Sequence, residues 1–272
     1  RHLRVPSVAS VGSPAMTDHR TASRIANHFA YLQFLYDEPH VASIFERLGV
    51  PARGVGYMAL RLAPVGDIPI EVAASLLGSF PRAMVEKFLS RVEASAADVL
   101  AAGIEGLTEA AEAAWGDHPA TPELADLLEE AAAGCELDQR MLTSAWATVP
   151  WSGAPARLFG AATVLREHRG DGHWMAARVA GLTPAEMHVL ARLSKGAAPE
   201  DVGHGFRPQQ TEPIVERLAE RGLLSGAEVT ERAVSLLEAI EAKTDELDAP
   251  PWDRLGPTGV ARVIELGSPL LG

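Results

Sequence analysis

The densest run of chemically capable side chains is Arg166-Glu167-His168-Arg169-Gly170-Asp171-Gly172-His173. An imidazole can move a proton near neutral pH, a carboxylate can orient it, and guanidinium groups can clamp an anion. Arg166, Arg169 and His173 are spaced three and four apart, so a continuous helix would put them on one face. The glycines predict a break instead. Gly170 ends a helix over 155–169, Asp171 caps the next one, and His173 falls in its first turn, where the helix dipole favours the neutral base. On this reading His173 is the acid or base and Asp171 its orienter. Arg166 and Arg169 are anion clamps, with His168 and Trp174 beside them.

Two other readings of the same residues stay open. The Arg and Asp side chains could form an ion-pair network that ties helices together, with the histidines satisfied at an interface. Alternatively, His40, His173 and a carboxylate could bind a metal, but no His-x-x-x-His or Cys–His spacing supports that. The expectation is therefore no metal and no cofactor. The sequence has no G-x-G-x-x-G after a strand, no phosphate-binding loop, no G-x-S-x-G and no H-E-x-x-H.

His40 enters through an internal repeat. DEPHVASIFERLGVP (37–51) aligns with GDGHWMAARVAGLTP (170–184), placing His40 on His173 and Pro51 on Pro184. After a three-residue slip, Leu60 falls on Leu190, Gly66 on Gly196, Pro69 on Pro199, Val72 on Val202, Val85 on Val215 and Phe88 on Leu218. Chain breakers agree as well as apolar positions, as a duplicated unit requires. Glu38 stands to His40 as Asp171 stands to His173.

The elements that would carry these residues are helical. Apolar spacing predicts a helix over 20–36 with Ile25, Phe29, Leu32 and Phe34 on one face. Short helices follow at 40–48, stopped by Gly49 and Pro51, at 55–63, and at 68–78, opened by Pro69; Pro81 opens another. An alanine-rich helix covers 95–115. A long helix is expected over 121–146, with Thr121 as N-cap and Pro122 at the first helical position. The loop 149–155 divides the chain. Beyond it, a short helix at 199–206 and a longer one at 208–221 are expected. The predicted organisation is a disordered tail (1–16), an N-terminal half (17–120), a linking helix and loop (121–153) and a C-terminal half (154–272).

Bulk properties narrow the function classes. The 272 residues are 47% hydrophobic but only 6% aromatic, a balance that favours Ala/Leu-rich helices over sheet. A formal net charge of -12 opposes non-specific nucleic-acid binding, which rests on neutralising phosphates with Lys and Arg. The single cysteine, Cys135, excludes an intrachain disulfide and suits a reducing, cytoplasmic setting. No apolar run reaches the ~18 residues of a membrane span, and the first fifteen residues lack a signal-peptide core.

VERLAERGLLSGAEVTERAVSLLEAIEAKTDEL, from Val215, resembles the MarR winged-helix superfamily: a recognition helix ending in RLxxxGLL, a β-wing and a long terminal helix. LREHRGDGH (165–173), with Val149-Pro150-Trp151 before it and Pro250 to Gly256 after it, resembles an actinobacterial helix-turn-helix family of largely unassigned function. The resemblance implies a mainly α fold of tandem MarR-like winged-helix units, paired as an internal pseudo-dimer with long connecting helices. The chain would then be a monomer or a weak homodimer. His40 and His173 would face a shared cavity, with Glu38 and Tyr57 among the ligand-binding groups. The linker SGAEV between Leu224 and Thr230 is short for a wing, lacks Arg and Lys, and carries Glu228. DNA contact would fall to Arg207, Gln209, Gln210 and Arg217, few groups for base readout plus phosphate contacts. The expected function is binding of a small organic molecule between the halves, with cofactor-free acid–base chemistry such as cyclisation, elimination or isomerisation. The alternative is a ligand-responsive transcriptional regulator.

Overall fold

The structure is a computed structural model that describes residues 14–30, 39–51, 54–226 and 228–271. It is mainly α-helical. The helices are α1 (Pro14–Phe29), α2 (Pro39–Arg47), α3 (Gly54–Leu62), α4 (Ile70–Leu76), α5 (Arg82–Leu89), α6 (Ala96–Trp115), α7 (Thr121–Ala132), α8 (Met141–Trp146), α9 (Ala154–Val179), α10 (Pro184–Leu193), α11 (Pro208–Glu220) and α12 (Glu231–Gly267). The strands β1 (Leu224–Ser225) and β2 (Glu228–Val229) pair antiparallel, Leu224 opposite Val229 and Ser225 opposite Glu228. Leu32, Phe34, Glu38 and the side chain of His40 lie outside the described residues.

Local chemistry explains most of the boundaries. Ser95 caps α6 by accepting from the Asp98 backbone N–H at 3.1 Å. Thr183 and Glu186 form a capping box at the start of α10. Thr230 caps α12 through the Ala233 N–H at 3.3 Å. Four expectations need correcting. Helix α1 opens at Pro14, inside the segment assigned to the tail. The predicted 121–146 helix is two helices, α7 and α8. Thr121 is not the N-cap: Ala120 is, and the Thr121 hydroxyl donates to the Trp115 carbonyl at 2.8 Å. The short helix expected at 199–206 is a set of turns, because Gly203, His204 and Gly205 all adopt positive φ (72°, 53° and 77°).

A fifth correction matters most. Helix α9 runs unbroken through Gly170 and Gly172 to Val179. Gly170 is therefore no C-cap, and Asp171 does not cap the helix that carries His173. The reason is close approach. A Cβ on Gly172 would lie 2.9 Å from Arg140 Nη1 and 3.3 Å from Leu247 Cβ. Arg140, only 2% exposed, lies across this bare position and donates to the carbonyls of His168 (2.6 Å) and Leu247 (3.0 Å). The glycine serves tertiary packing rather than a turn.

Helix α9 is the axis of the molecule and packs against α1, α6, α7, α8 and α12. Its first half lies in a large apolar core built with α1 to α7 and the end of α12, where Trp252 and Val263 are buried. Its C-terminal turns enter a second core with α10, α11, the wing and the start of α12. Long helix α12 bends at Gly256 (φ 71°, ψ 168°), with Pro257 opening the segment beyond. Both cores thus share α9 and α12, and the polar run of α9 falls between them.

Candidate functional site

The charged residues of α9 divide between two faces. One meets α1 and α12. Arg169 donates to Asp245 Oδ1 (2.9 Å) and Glu241 Oε2 (3.0 Å), and Arg20 of α1 closes on the same Asp245. His168 is fully buried, its Nδ1 3.5 Å from Asp248 Oδ1, while the Ser23 hydroxyl donates to Asp248 Oδ2 at 2.6 Å. His173 Nδ1 sits 3.2 Å from Thr244 Oγ1 and 3.5 Å from Glu241 Oε1. The Thr244 hydroxyl proton is already given to Ile240 O at 2.8 Å, so the ring nitrogen is the donor and Nε2 keeps the lone pair. Burial, reinforced by Arg169 and Lys195 and opposed by Glu241, lowers the His173 pKa.

The other face meets α3 and α8. Glu167, 1% exposed, receives two bonds from Arg61 of α3, Nε to Oε1 at 3.1 Å and Nη2 to Oε2 at 2.7 Å, and a third contact from Arg166. Burial alone would raise its pKa, but the two guanidinium groups outweigh it and hold the carboxyl below its usual range. Arg61 also donates to the Tyr57 hydroxyl at 3.1 Å. Asp171 Oδ2 accepts from the Thr143 N–H (3.1 Å) and hydroxyl (2.9 Å), so it caps α8 rather than its own helix. Burial raises its pKa, partly offset by those bonds.

This geometry separates the expected catalytic pair. On a continuous helix two residues apart means about 200° apart. Asp171 therefore faces α8 while His173 faces α12, and Asp171 does not orient His173. Arg166 and Arg169 are held by carboxylates, so neither is a free anion clamp. The Tyr57 ring borders a small hollow of about 260 Å³ with Arg61, Phe80 and His204. Among the described residues no group of three or more His, Cys, Asp or Glu side chains could hold a metal ion.

A larger hollow lies elsewhere. A cleft of about 930 Å³ separates α4, α5 and their turn from α9, α10 and α11. Its apolar lining includes Phe80, Met141, Trp174, Met175, Phe206 and Ile214; its polar lining includes Arg82, Gln139, Asp171, Arg178, Gln210 and Arg217. Of the residues singled out from sequence, Asp171, Trp174, Gln210 and Arg217 line it, whereas His168, His173, Arg166 and Arg169 do not.

The chain belongs to a helix-turn-helix family. The family model covers residues 20–272, nearly all of the described fold. No curated protein and no solved structure gives a significant match. Helix α11 follows α10 and a turn and precedes the β1–β2 hairpin. Arg207 and Gln209 are exposed near its start. Arg217 donates to Glu186 Oε1 at 3.1 Å. Exposed Glu212, Glu216 and Glu220, four apart, form an acidic stripe along the same helix. Residues 90–95, after α5, form turns and bends with no strand.

The turn between α4 and α5 also meets α10 and the turns after it through a stack of rings that sequence reasoning missed. Phe80 stacks on His204 (centroids 4.8 Å, 9°), His204 on His188 (4.2 Å, 22°) and His188 on Phe206 (5.4 Å, 13°). Carbonyl acceptors fix both tautomers: His204 Nδ1 donates to Ser79 O at 3.3 Å and His188 Nε2 to Val202 O at 2.9 Å. Burial and its neighbour His204 push His188 down to about 4. Burial lowers His204 too, with Arg192 and Arg61 adding to it and the Ser79 bond opposing. The one sequence signal was the Gly-His-Gly triplet at 203–205, whose glycines permit three consecutive positive φ values. A Cβ on Gly205 would lie 2.2 Å from Met84 Sδ of α5, so a side chain there would displace the Met84 side chain.

Proposed function

We propose that this protein is a ligand-responsive helix-turn-helix regulator. A small organic molecule held in the cleft between the two units sets the relation of α5 to α11. The observation that carries the reading is the position of the cleft, which lies between α4 and α5 with their turn and α9, α10 and α11. A ligand that fits one spacing of the walls better than another must shift the population of spacings. The repeat from sequence fits this picture: the units would be the halves of an internal pseudo-dimer of MarR-like type, and α5 and α11 would be its equivalent helices. Base contact would come from the exposed start of α11, where recognition helices make their contacts, through Arg207 and Gln209.

The test is a mobility-shift titration of the protein against the DNA upstream of its own gene, at low and moderate salt. Expected is sequence-selective, salt-dependent retardation, weakened by Arg207→Ala with Gln209→Ala. Retardation that is equal for unrelated DNA, or absent at every salt concentration, overturns the regulator. A second reading, a small-molecule-binding protein with no DNA role, is favoured by the Glu212/Glu216/Glu220 stripe, by the two-residue wing strands and by the net charge of -12. Each repels phosphate or withholds a contact to it. The acid–base version of that reading draws no support from the site, because its base and orienter sit on opposite faces of α9.

A further inference from the structure

We infer that the occupant of the cleft is a multi-ring organic anion, anchored by Arg178. The inference rests on the cleft being a binding site and adds the chemical class of the ligand. Three guanidinium groups, Arg82, Arg178 and Arg217, line the cleft with a single carboxylate, Asp171. That carboxylate is engaged by Thr143 at the start of α8. Arg82 is paired with Glu86 at 2.7 Å and Arg217 with Glu186 at 3.1 Å. Arg178, exposed in the last turn of α9, has no carboxylate partner among the described residues. In a chain of net charge -12, a concavity whose one guanidinium without a carboxylate partner among the described residues is Arg178 offers a contact to an anion. A cation would meet like charge at Arg178.

Shape supplies the second half of the argument. The cleft is near the upper end of the ~300–1,000 Å³ range of ligand pockets, too large for a one-ring acid to fill. Trp174, Phe80 and Phe206 come from α9 and from two separate turns, and they offer flat surfaces to an extended apolar body. The charged group would be held at the Arg178 side, with the rings lying along the aromatic wall.

Two probes with one skeleton test this. 8-Anilinonaphthalene-1-sulfonate carries a charge, and N-phenyl-1-naphthylamine has the same rings without it. Fluorescence titration of the intact protein should show the anion binding at least about tenfold more tightly. Arg178→Gln should remove about that factor, the loss of one charge-assisted contact, and leave the neutral probe unchanged. Arg178→Lys should recover part of it, and benzoate should compete poorly with the sulfonate. Ala83→Trp, which fills the cleft from the exposed side of α5, should weaken both probes. If neither probe binds, or Ala83→Trp changes neither affinity, the cleft itself is not a binding site. If both bind equally and Arg178→Gln has no effect, the cleft stands and the anion is wrong. Circular dichroism of each variant separates these outcomes from misfolding.

Discussion

At the polar junction of α9 the charged side chains are matched. Glu167 is held by two guanidinium groups, Arg169 spans two carboxylates of α12, and Arg140 satisfies two backbone carbonyls across Gly172. The cleft a turn or two further on is lined by ordinary residues, and there Arg178 has no carboxylate partner among the described residues. The junction lies between two apolar cores that share α9 and α12, so most of its polar groups are buried and costly when unpaired. The ring nitrogens of His168, Arg166 Nε and Asp248 Oδ1 still make no hydrogen bond among the described residues. The cleft is open to solvent, so its groups need no partner. A dense charged run thus marked where two cores are joined, and a quieter set of residues marked where a molecule can enter.

The sharpest way to break that contrast is Glu167→Gln. It leaves Arg61 and Arg166 buried without their counter-charge and should cost about 3–5 kcal/mol. Urea denaturation would register it, and a cost under about 1 kcal/mol would make the junction dispensable. Next come the paired glycines. Gly172→Ala gains about 1 kcal/mol of helix propensity but displaces Arg140 from two carbonyls, each such bond worth about 1.5–3 kcal/mol. The net expectation is destabilisation by about 2–5 kcal/mol. At Gly170 a Cβ meets nothing nearer than Glu167 Oε2 at 4.0 Å. Gly170→Ala should therefore stabilise by up to about 1 kcal/mol. Thermal melts that move in the same direction for both would remove the close-approach explanation.

Acidification should separate the two regions by pH window, with the smallest effect. His188 is depressed from 6.5 to about 4, so the unfolded chain binds its proton first. The stability it lends is complete above pH 6.5 and declines as pH falls from there towards 4. Glu167 is depressed below 4.5, so its contribution is present above that value and is lost only at lower pH. The ring stack should loosen before the junction does. Histidine resonances followed by NMR, and melting points across the range, should show a first decline between pH 6.5 and 4 that shrinks in His188→Phe. A wild-type protein with constant stability over that interval would contradict the stack.

Much of the fold was legible in the residues. Gly49, Gly66, Pro69 and Pro81 stopped or opened helices where expected, Thr230 capped α12, and SGAEV gave a minimal wing. Cys135 packs against the first core and its thiol is raised to about 12 by burial, in line with a small core residue rather than a nucleophile. The candidate site was less legible. Gly170 and Gly172 carry the same local signal as a helix end, and nothing nearby in sequence discloses that Arg140, some thirty residues earlier, occupies the space one of them leaves. Likewise Asp171 reads as a cap, which it is, but for a helix that arrives from elsewhere in the chain.

The sequence by itself determined what is local: helical periodicity, breakers, caps, the weak wing and the family these add up to. Only the tertiary structure decided which way each polar side chain of α9 points and which opposing element it meets. Those choices depend on the close approach of segments distant in the chain. The same packing placed Arg82, Arg178 and Arg217 around one hollow and brought Phe80 against His204, because the two units meet there and their helices leave that space unfilled.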